Sequence, residues 1–152
     1  MDKRAVEIRS ANAEDLANVE MCARDAYAVY VSRMGRKPAP MIANFALKIE
    51  LEHVYVAENQ GAFVGYVVFY CEGDHIHLEN VAVSPNQAGK GFGKQLIKYA
   101  EKAARDNGLN AVELYTNEAM TENLAMYPSL GYLEIERKEQ DGYKRVFFRK
   151  LV

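Results

Sequence analysis

Gly89, Gly91 and Gly93 stand at alternate positions in the run SPNQAGKGFGKQLIKYAEKAARDNG, with Lys90 between the first two and Lys94 after the third. The run enters on Ser84-Pro85 and leaves as an amphipathic helical stretch. A glycine-rich loop feeding a helix N-terminus gathers free backbone N–H groups and the positive end of the helix dipole, which suits it to phosphate. Lys90 and Lys94 would offset that charge. Spacing excludes two familiar phosphate loops. A P-loop places four residues between its first Gly and a Gly-Lys-Ser/Thr; here Gly89 and Gly93 have three residues between them, and Gln95 follows Lys94. The dinucleotide fingerprint Gly-x-Gly-x-x-Gly would need glycine where Lys94 stands, and an acidic residue about 20 residues on. What remains is a loop shaped for a pyrophosphate, or a tight β–α connection whose glycines only relieve sterics.

Other reactive side chains are sparse. His75, His77 and Glu79 alternate along one run, HIHLENVAV. Three ligands on one strand rarely complete a metal site, so no metal is expected. Cys22 and Cys71 form no CxxC and read as buried free thiols of a cytoplasmic protein.

The elements that must position these residues follow from periodicity. VEIRSA alternates as a strand. A helix begins at Asn12 or Ala13, with apolar residues at 3.6-residue spacing through Tyr30, and ends near Met34-Gly35. Asn12 with Asp15 forms a loose capping box. MIANFALKIELE is a second short helix. HVYVAENQ and GAFVGYVVFYCEG are strands about a turn at Asn59-Gln60-Gly61, and Glu72-Gly73-Asp74 turns into a third strand, His75 to Val83. A helix from about Gly91 to Asn107 follows the loop, stopping at Gly108. Then come a strand over Asn110–Asn117, a short helix from Thr121, and a hairpin about Asp141-Gly142. The order predicts the α+β class: a mixed, mostly antiparallel β-sheet flanked by helices.

The chain has 152 residues, 49% of them hydrophobic, which fits one domain over residues 1–152. A net charge of -2 gives no field for nucleic acid. No apolar run approaches the roughly 20 residues of a membrane span, and the charged N-terminus shows no secretory signal.

LENVAVSPNQAGKGFGKQLI resembles the central motif of the GNAT superfamily of acetyl-CoA-dependent N-acetyltransferases: an apolar strand, a proline, then Gln/Arg-x-x-Gly-x-Gly/Ala opening a helix. Gly91 and Gly93 align with the motif glycines. Ala88 falls where Gln or Arg is usual, with Gln87 one residue early. ENLAMYPSLGYLEIE is similar to the family's C-terminal motif, and Tyr127, Leu130, Gly131 and Tyr132 align with it. Met120 stands at its opening Asn, with Asn123 three residues later. YVSRMGRKPAPM resembles a stretch of uncharacterised bacterial members.

The resemblance implies a fold with a splayed central strand pair and acetyl-CoA as co-substrate. Its pantetheine amides would pair with backbone of Val81, Ala82 and Val83, as an added strand would. Its pyrophosphate would sit over Ala88, Gly89, Lys90, Gly91, Phe92, Gly93 and Lys94. Asn123 is a candidate contact to the CoA arm. A backbone N–H near Val81 would hold the developing oxyanion. The attacking amine must lose a proton, since an alkylamine has a pKa near 10.4. Glu79 is the first candidate base and His77, on the same strand face, the second. Tyr127 aligns with the family's tyrosine acid, which protonates the leaving thiolate. The segment after the first strand would wall the acceptor, a small-molecule or peptide amine, with Tyr27, Tyr30 and Arg33. A homodimer is the assembly the resemblance suggests. A non-catalytic acyl-CoA-binding module and a generic nucleotide or anion binder are the competing readings.

Overall fold

A computed structural model describes residues 5–152 of the chain. Seven strands join in one sheet of order β1-β2-β3-β4-β5-β7-β6. The strands are β1 (Glu7–Ser10), β2 (Val54–Asn59), β3 (Ala62–Glu72), β4 (His75–Val83), β5 (Ala111–Asn117), β6 (Leu133–Gln140) and β7 (Tyr143–Leu151). The helices are α1 (Leu16–Tyr27), α2 (Tyr30–Met34), α3 (Phe45–Glu50), α4 (Phe92–Asp106) and α5 (Thr121–Ser129). β1–β2, β2–β3, β5–β7 and β6–β7 pair antiparallel, and β4–β5 pair in parallel. This is the mixed, mostly antiparallel α+β architecture expected. No helix among the described residues is long and apolar enough to cross a membrane.

The described residues fall into two compact units. The first runs to Phe69 and resumes over Asn80–Tyr99. β2 and β3 form its centre, with Val54, Val56, Val64, Tyr66 and Val68 buried. α1 buries Val19, Cys22, Ala23 and Tyr27, the apolar stripe the 3.6-residue period predicts. The capping box appears as expected: Asn12 accepts from Glu14 N–H, and Asp15 Oδ2 accepts from Asn12 N–H at 2.8 Å. Arg9 forks onto both oxygens of Asp15, at 2.7 and 2.9 Å. That pairing holds the Asp15 carboxyl below the ordinary carboxylate range.

Two expectations need correction in this unit. The long helix over 12–35 is divided, because Val31 N–H bonds to Ala28 at i−3 and tightens the chain between α1 and α2. Its C-cap is Gly35 at φ 72, as the sequence suggests. The helix expected over MIANFALKIELE begins as a 3-10 turn, Ala39–Ile42, and becomes α-helical only at Phe45, where Asn44 caps Leu47 N–H. Proline at the start of the segment supports the tighter turn.

The second unit comprises Tyr70–Glu79 and Ala100–Val152. β5 lies between β4 and β7, and its buried positions alternate: Val112, Leu114 and Thr116 point one way, half-buried Glu113, Tyr115 and Asn117 the other. A buried polar knot ties this unit together. Glu101 accepts from Tyr132 Oη at 2.8 Å and from Lys150 Nζ at 3.0 Å. Burial and the Glu101 charge push the Tyr132 phenol up, so it stays a neutral donor. The Lys150 stem passes 3.2 Å from where a Cβ of Gly131 would be, and Gly131 has φ +97. The Leu-Gly-Tyr end of the C-terminal motif is therefore steric as well as local: glycine makes room for the lysine that shares Glu101 with the next tyrosine. The expectation of two buried thiols holds for Cys22 alone; Cys71 is exposed, because β3 runs out of cover near the Gly73 turn.

Candidate functional site

Gly65 sets the backbone beneath the glycine loop. A Cβ there would lie 2.5 Å from the Ala82 carbonyl oxygen and 3.2 Å from Val83 Cα. Glycine in β3 thus lets β3 and β4 approach at Ala82–Val83, and Ser84 N–H bonds to Val64 at 2.9 Å. No motif announced Gly65, though a glycine within an apolar strand is a signal of close backbone approach. Val81 carries a further constraint: its carbonyl accepts from Tyr27 Oη at 2.9 Å. Tyr27 is buried on α1. Tyr30 tilts against it at 6.1 Å, and the Arg33 guanidinium lies 5.2 Å over the Tyr30 ring. The structure thus brings Tyr27, Tyr30 and Arg33 into one row that starts on the β4 backbone.

Beyond Val83 a 3-10 turn, Pro85–Gln87, passes Ala88 into the loop. Gly89 and Gly91 adopt φ +81 and +83, and nothing lies within 4 Å of a Cβ placed on either. Both glycines are required by conformation and open onto space, as a backbone anion cradle demands. Gly93 serves packing: its Cβ position faces the Val83 side chain at 3.6 Å. Phe92 is buried and pins the start of α4. Lys94 is exposed, and Lys90 Nζ donates to Gln87 Oε1 at 3.0 Å. Asn80, which the sequence did not single out, is 8% exposed, and its Oδ1 has no hydrogen-bond partner among the described residues.

In the second unit the parallel ladder between β4 and β5 covers only His75–Leu78. His77 stands in a row of rings: Tyr70 at 5.4 Å on one side and Tyr115 at 5.6 Å on the other, with Phe147 5.5 Å beyond Tyr115. All four are half-buried. Glu79 shares this face, its Oε2 shielded from solvent. Desolvation lowers the His77 pKa from its ordinary value and outweighs the opposing pull of Glu72, Glu79 and Glu113. Desolvation raises the Tyr70 and Tyr115 phenols. The row gathers a neutral imidazole, a carboxylate and two neutral phenols, a set able to take a proton from an amine. Glu79 and His77 are legible in the sequence; Tyr70, Tyr115 and Phe147 are not, because their shared face depends on pairing four strands.

Asp74, His75 and Glu113 bring their ligand atoms within 4.8 Å of one another. Arg149 donates to Glu113 and lies 3.5 Å from Asp74, so a guanidinium already neutralises this cluster.

On α5, Tyr127 is 4% exposed. Its ring meets Tyr132 edge-on at 5.7 Å and Phe148 at 5.8 Å. Asn123 Nδ2 donates to Thr116 Oγ1 at 3.1 Å and reaches Met120 Sδ at 3.6 Å, so its amide ties α5 to β5.

Residues 18–132 match the family model described as Acetyltransferase (GNAT) family. Among curated proteins, the chain is 29% identical over 80 residues to an uncharacterized N-acetyltransferase, YvbK, of Bacillus subtilis, covering 53% of this chain and 51% of that one. It is 30% identical over 88 residues to the thialysine N-epsilon-acetyltransferase of Bos taurus, covering 54% and 52%. The chain thus spans about half the length of these relatives. Among solved structures, PaiA N-acetyltransferase from Thermoplasma acidophilum in complex with coenzyme A superposes with TM-score 0.77 at 17% identity, over 97% of this chain and 99% of that one. The ribosomal-protein-S18-alanine N-acetyltransferase of Escherichia coli gives 0.76 at 19% identity, over 97% and 94%. At these identities the structural likeness speaks for the fold.

Proposed function

The chain belongs to the acetyltransferase (GNAT) family, and on that premise we propose that it moves an acetyl group from acetyl-CoA to a primary amine of a small molecule or peptide by direct attack. One observation carries the reading: the family match takes in both the positive-φ loop and Tyr127. A relative named for a thialysine acceptor supports an amine substrate. Two cysteines without a disulfide support a cytoplasmic setting.

In this reading the open N–H groups around Gly89 and Gly91 would hold the pyrophosphate, with Ala88, Lys90, Phe92, Gly93 and Lys94 completing the loop. Backbone from Val81 to Val83 would pair with the pantetheine amides. A backbone N–H near Val81 would hold the thioester oxygen as its charge develops, and Tyr27 Oη donates to the carbonyl of the same residue. Holding thioester and amine in register is the largest contribution, up to about 7–11 kcal/mol. His77, neutral because it is desolvated, would take the amine proton directly or through water, and Glu79 would stabilise the imidazolium that forms. Tyr127 would return a proton to the departing CoA sulfur. Asn123 would shape α5 rather than touch the CoA arm, since its amide is engaged on Thr116. Tyr27, Tyr30 and Arg33 would line the acceptor's approach.

The test has two stages. Acetyl-CoA at 100 times its Kd should stabilise the protein by about 2.7 kcal/mol, and stabilisation by ATP instead would overturn the assignment. Thiol release across a panel of amines then separates an enzyme from a non-catalytic acyl-CoA module. Replacing Tyr127 by Phe should lower kcat about 100-fold while the CoA-induced stabilisation persists. Unchanged kcat would remove Tyr127 from the chemistry.

A further inference from the structure

Arg145, on β7, is a cation buried with too little negative charge around it. Its side chain is 11% exposed. Its Nε is shielded from solvent and has no hydrogen-bond partner among the described residues. Nη1 donates to the neutral Gln140 Oε1 at 3.0 Å. The carboxylate paired with it, Asp141, lies at 3.9 Å and is itself 86% exposed. Two rings help, with Tyr115 4.2 Å and Tyr143 5.5 Å from the guanidinium carbon. A guanidinium keeps its proton at any physiological pH. Buried charges are ordinarily paired and fully hydrogen-bonded, because desolvation is costly. Glu101, 5% exposed in the same unit, shows the ordinary solution, with bonds from Tyr132 Oη at 2.8 Å and Lys150 Nζ at 3.0 Å.

The location gives the deficit a meaning. Arg145 lies over Tyr115, and Tyr115 lies against His77. β5 and β7 pair Tyr115 with Phe147 and Asn117 with Arg145, so the guanidinium reaches back along the face to the ring beside the imidazole. Glu79 acts on His77 at the β4 side of the face, while Arg145 stands over Tyr115 toward β7; Lys138, 4.8 Å over the Phe147 ring, is already paired with Glu136 at 3.3 Å. Adjacent strands are about 4.8 Å apart, so β4 and β7 are separated by about 10 Å across β5.

We propose that Arg145 anchors an oxyanion on the acceptor, so that the substrate is an aliphatic amine carrying a carboxylate or phosphate group at its other end. The amine lies at Glu79 and His77, the carbon chain runs across Tyr115, and the planar fork of Arg145 takes two oxygens. The proposal rests on the acetyl-transfer reading for the role of the amine, and on Arg145 alone for the oxyanion.

The experiment compares 6-aminohexanoate, an aminoalkyl phosphate and uncharged-tailed hexylamine as acceptors, by thiol release from acetyl-CoA. In the wild type, kcat/KM for at least one anionic-tailed amine should exceed that for hexylamine tenfold or more. That ratio should fall to within threefold of unity in Arg145→Gln. Arg145→Lys, which keeps the charge and loses the fork, should fall between the two. Whichever tail wins identifies the oxyanion. A wild-type ratio near unity, or a ratio that survives in both variants, overturns the proposal. Thermal stabilisation of the CoA-bound protein by the same three compounds is read in parallel. If no amine releases thiol, the acetyl-transfer reading fails, while stabilisation by an anionic-tailed amine in the wild type but in neither variant still supports the oxyanion site. Equal stabilisation by hexylamine, or none by any compound, overturns it.

Discussion

Lys90 and Arg145 are both cations in regions proposed to meet anions, and the protein holds them by opposite means. Lys90 sits on an exposed loop between two positive-φ glycines, its ammonium resting on Gln87. Arg145 is packed among rings on a sheet face, with one distant carboxylate. The loop offers an anion its backbone N–H groups, which need no side chain and little burial. The sheet face offers a rigid, desolvated guanidinium, built from residues on several strands. A backbone site can hold a carrier common to a whole family, because its geometry depends on glycine and not on side-chain identity. A side-chain site can differ between relatives through one substitution, which suits the selective end of a reaction.

The largest effect should break the loop through its conformation. Gly91→Val places a β-branched residue at φ +83, a strain of about 1–3 kcal/mol, and turns N–H groups away from the ligand. Calorimetric Kd for CoA should rise about 10- to 100-fold. Lys90→Ala should raise it less than about threefold, since an exposed charge contributes under about 1 kcal/mol. If Lys90 matters more than Gly91, the loop binds by charge and the contrast with Arg145 collapses.

This difference also explains what the sequence could reveal. The loop was legible because its parts are contiguous: strand, proline, alternate glycines and helix occupy one stretch. β4 was legible from Val83 back to His75, since turn residues bound it and its pattern alternates. Tyr127 was legible through local spacing to Gly131. Gly65 was visible as a glycine in a strand, but its reason, the carbonyl of Ala82, lies on another strand. The Tyr70, His77, Tyr115, Phe147 row and the deficit at Arg145 could not be read, because they depend on β7 entering between β5 and β6. Helix breaks were missed where a single i−3 bond at Val31 outweighed a continuous apolar stripe.

A middle-sized effect tests how rigidly the second unit holds its face. Tyr132→Phe removes the 2.8 Å bond to Glu101 and leaves that buried carboxylate to Lys150 alone. The cost should be about 1–3 kcal/mol in urea unfolding. The Tyr127 ring packs edge-on against Tyr132, so kcat should fall as well while CoA affinity, set by the loop, stays the same. A parallel loss of CoA affinity would show that the two regions do not act independently.

The smallest effect is one of protonation alone. Burial lowers the His77 pKa below its unfolded value, so the folded imidazole stays neutral where an unfolded one is already charged. The groups that act on it are Glu72, Glu79 and Glu113, which favour the charged form, and His75, which opposes it; desolvation outweighs them. The unfolded chain binds the extra proton as pH falls below about 6.5, so His77 weakens folding there and is silent above it. Stability of His77→Gln relative to wild type should therefore rise as pH drops from 7 to 5. In the wild type, the acid limb of kcat/KM should lie below about 6.5 and should disappear in His77→Gln, with the residual rate carried by Glu79. An acid limb unchanged by that substitution would assign the proton to Glu79 or to a water. It would also leave the ring-lined face as a binding surface, reducing the contrast between the two regions to one of affinity.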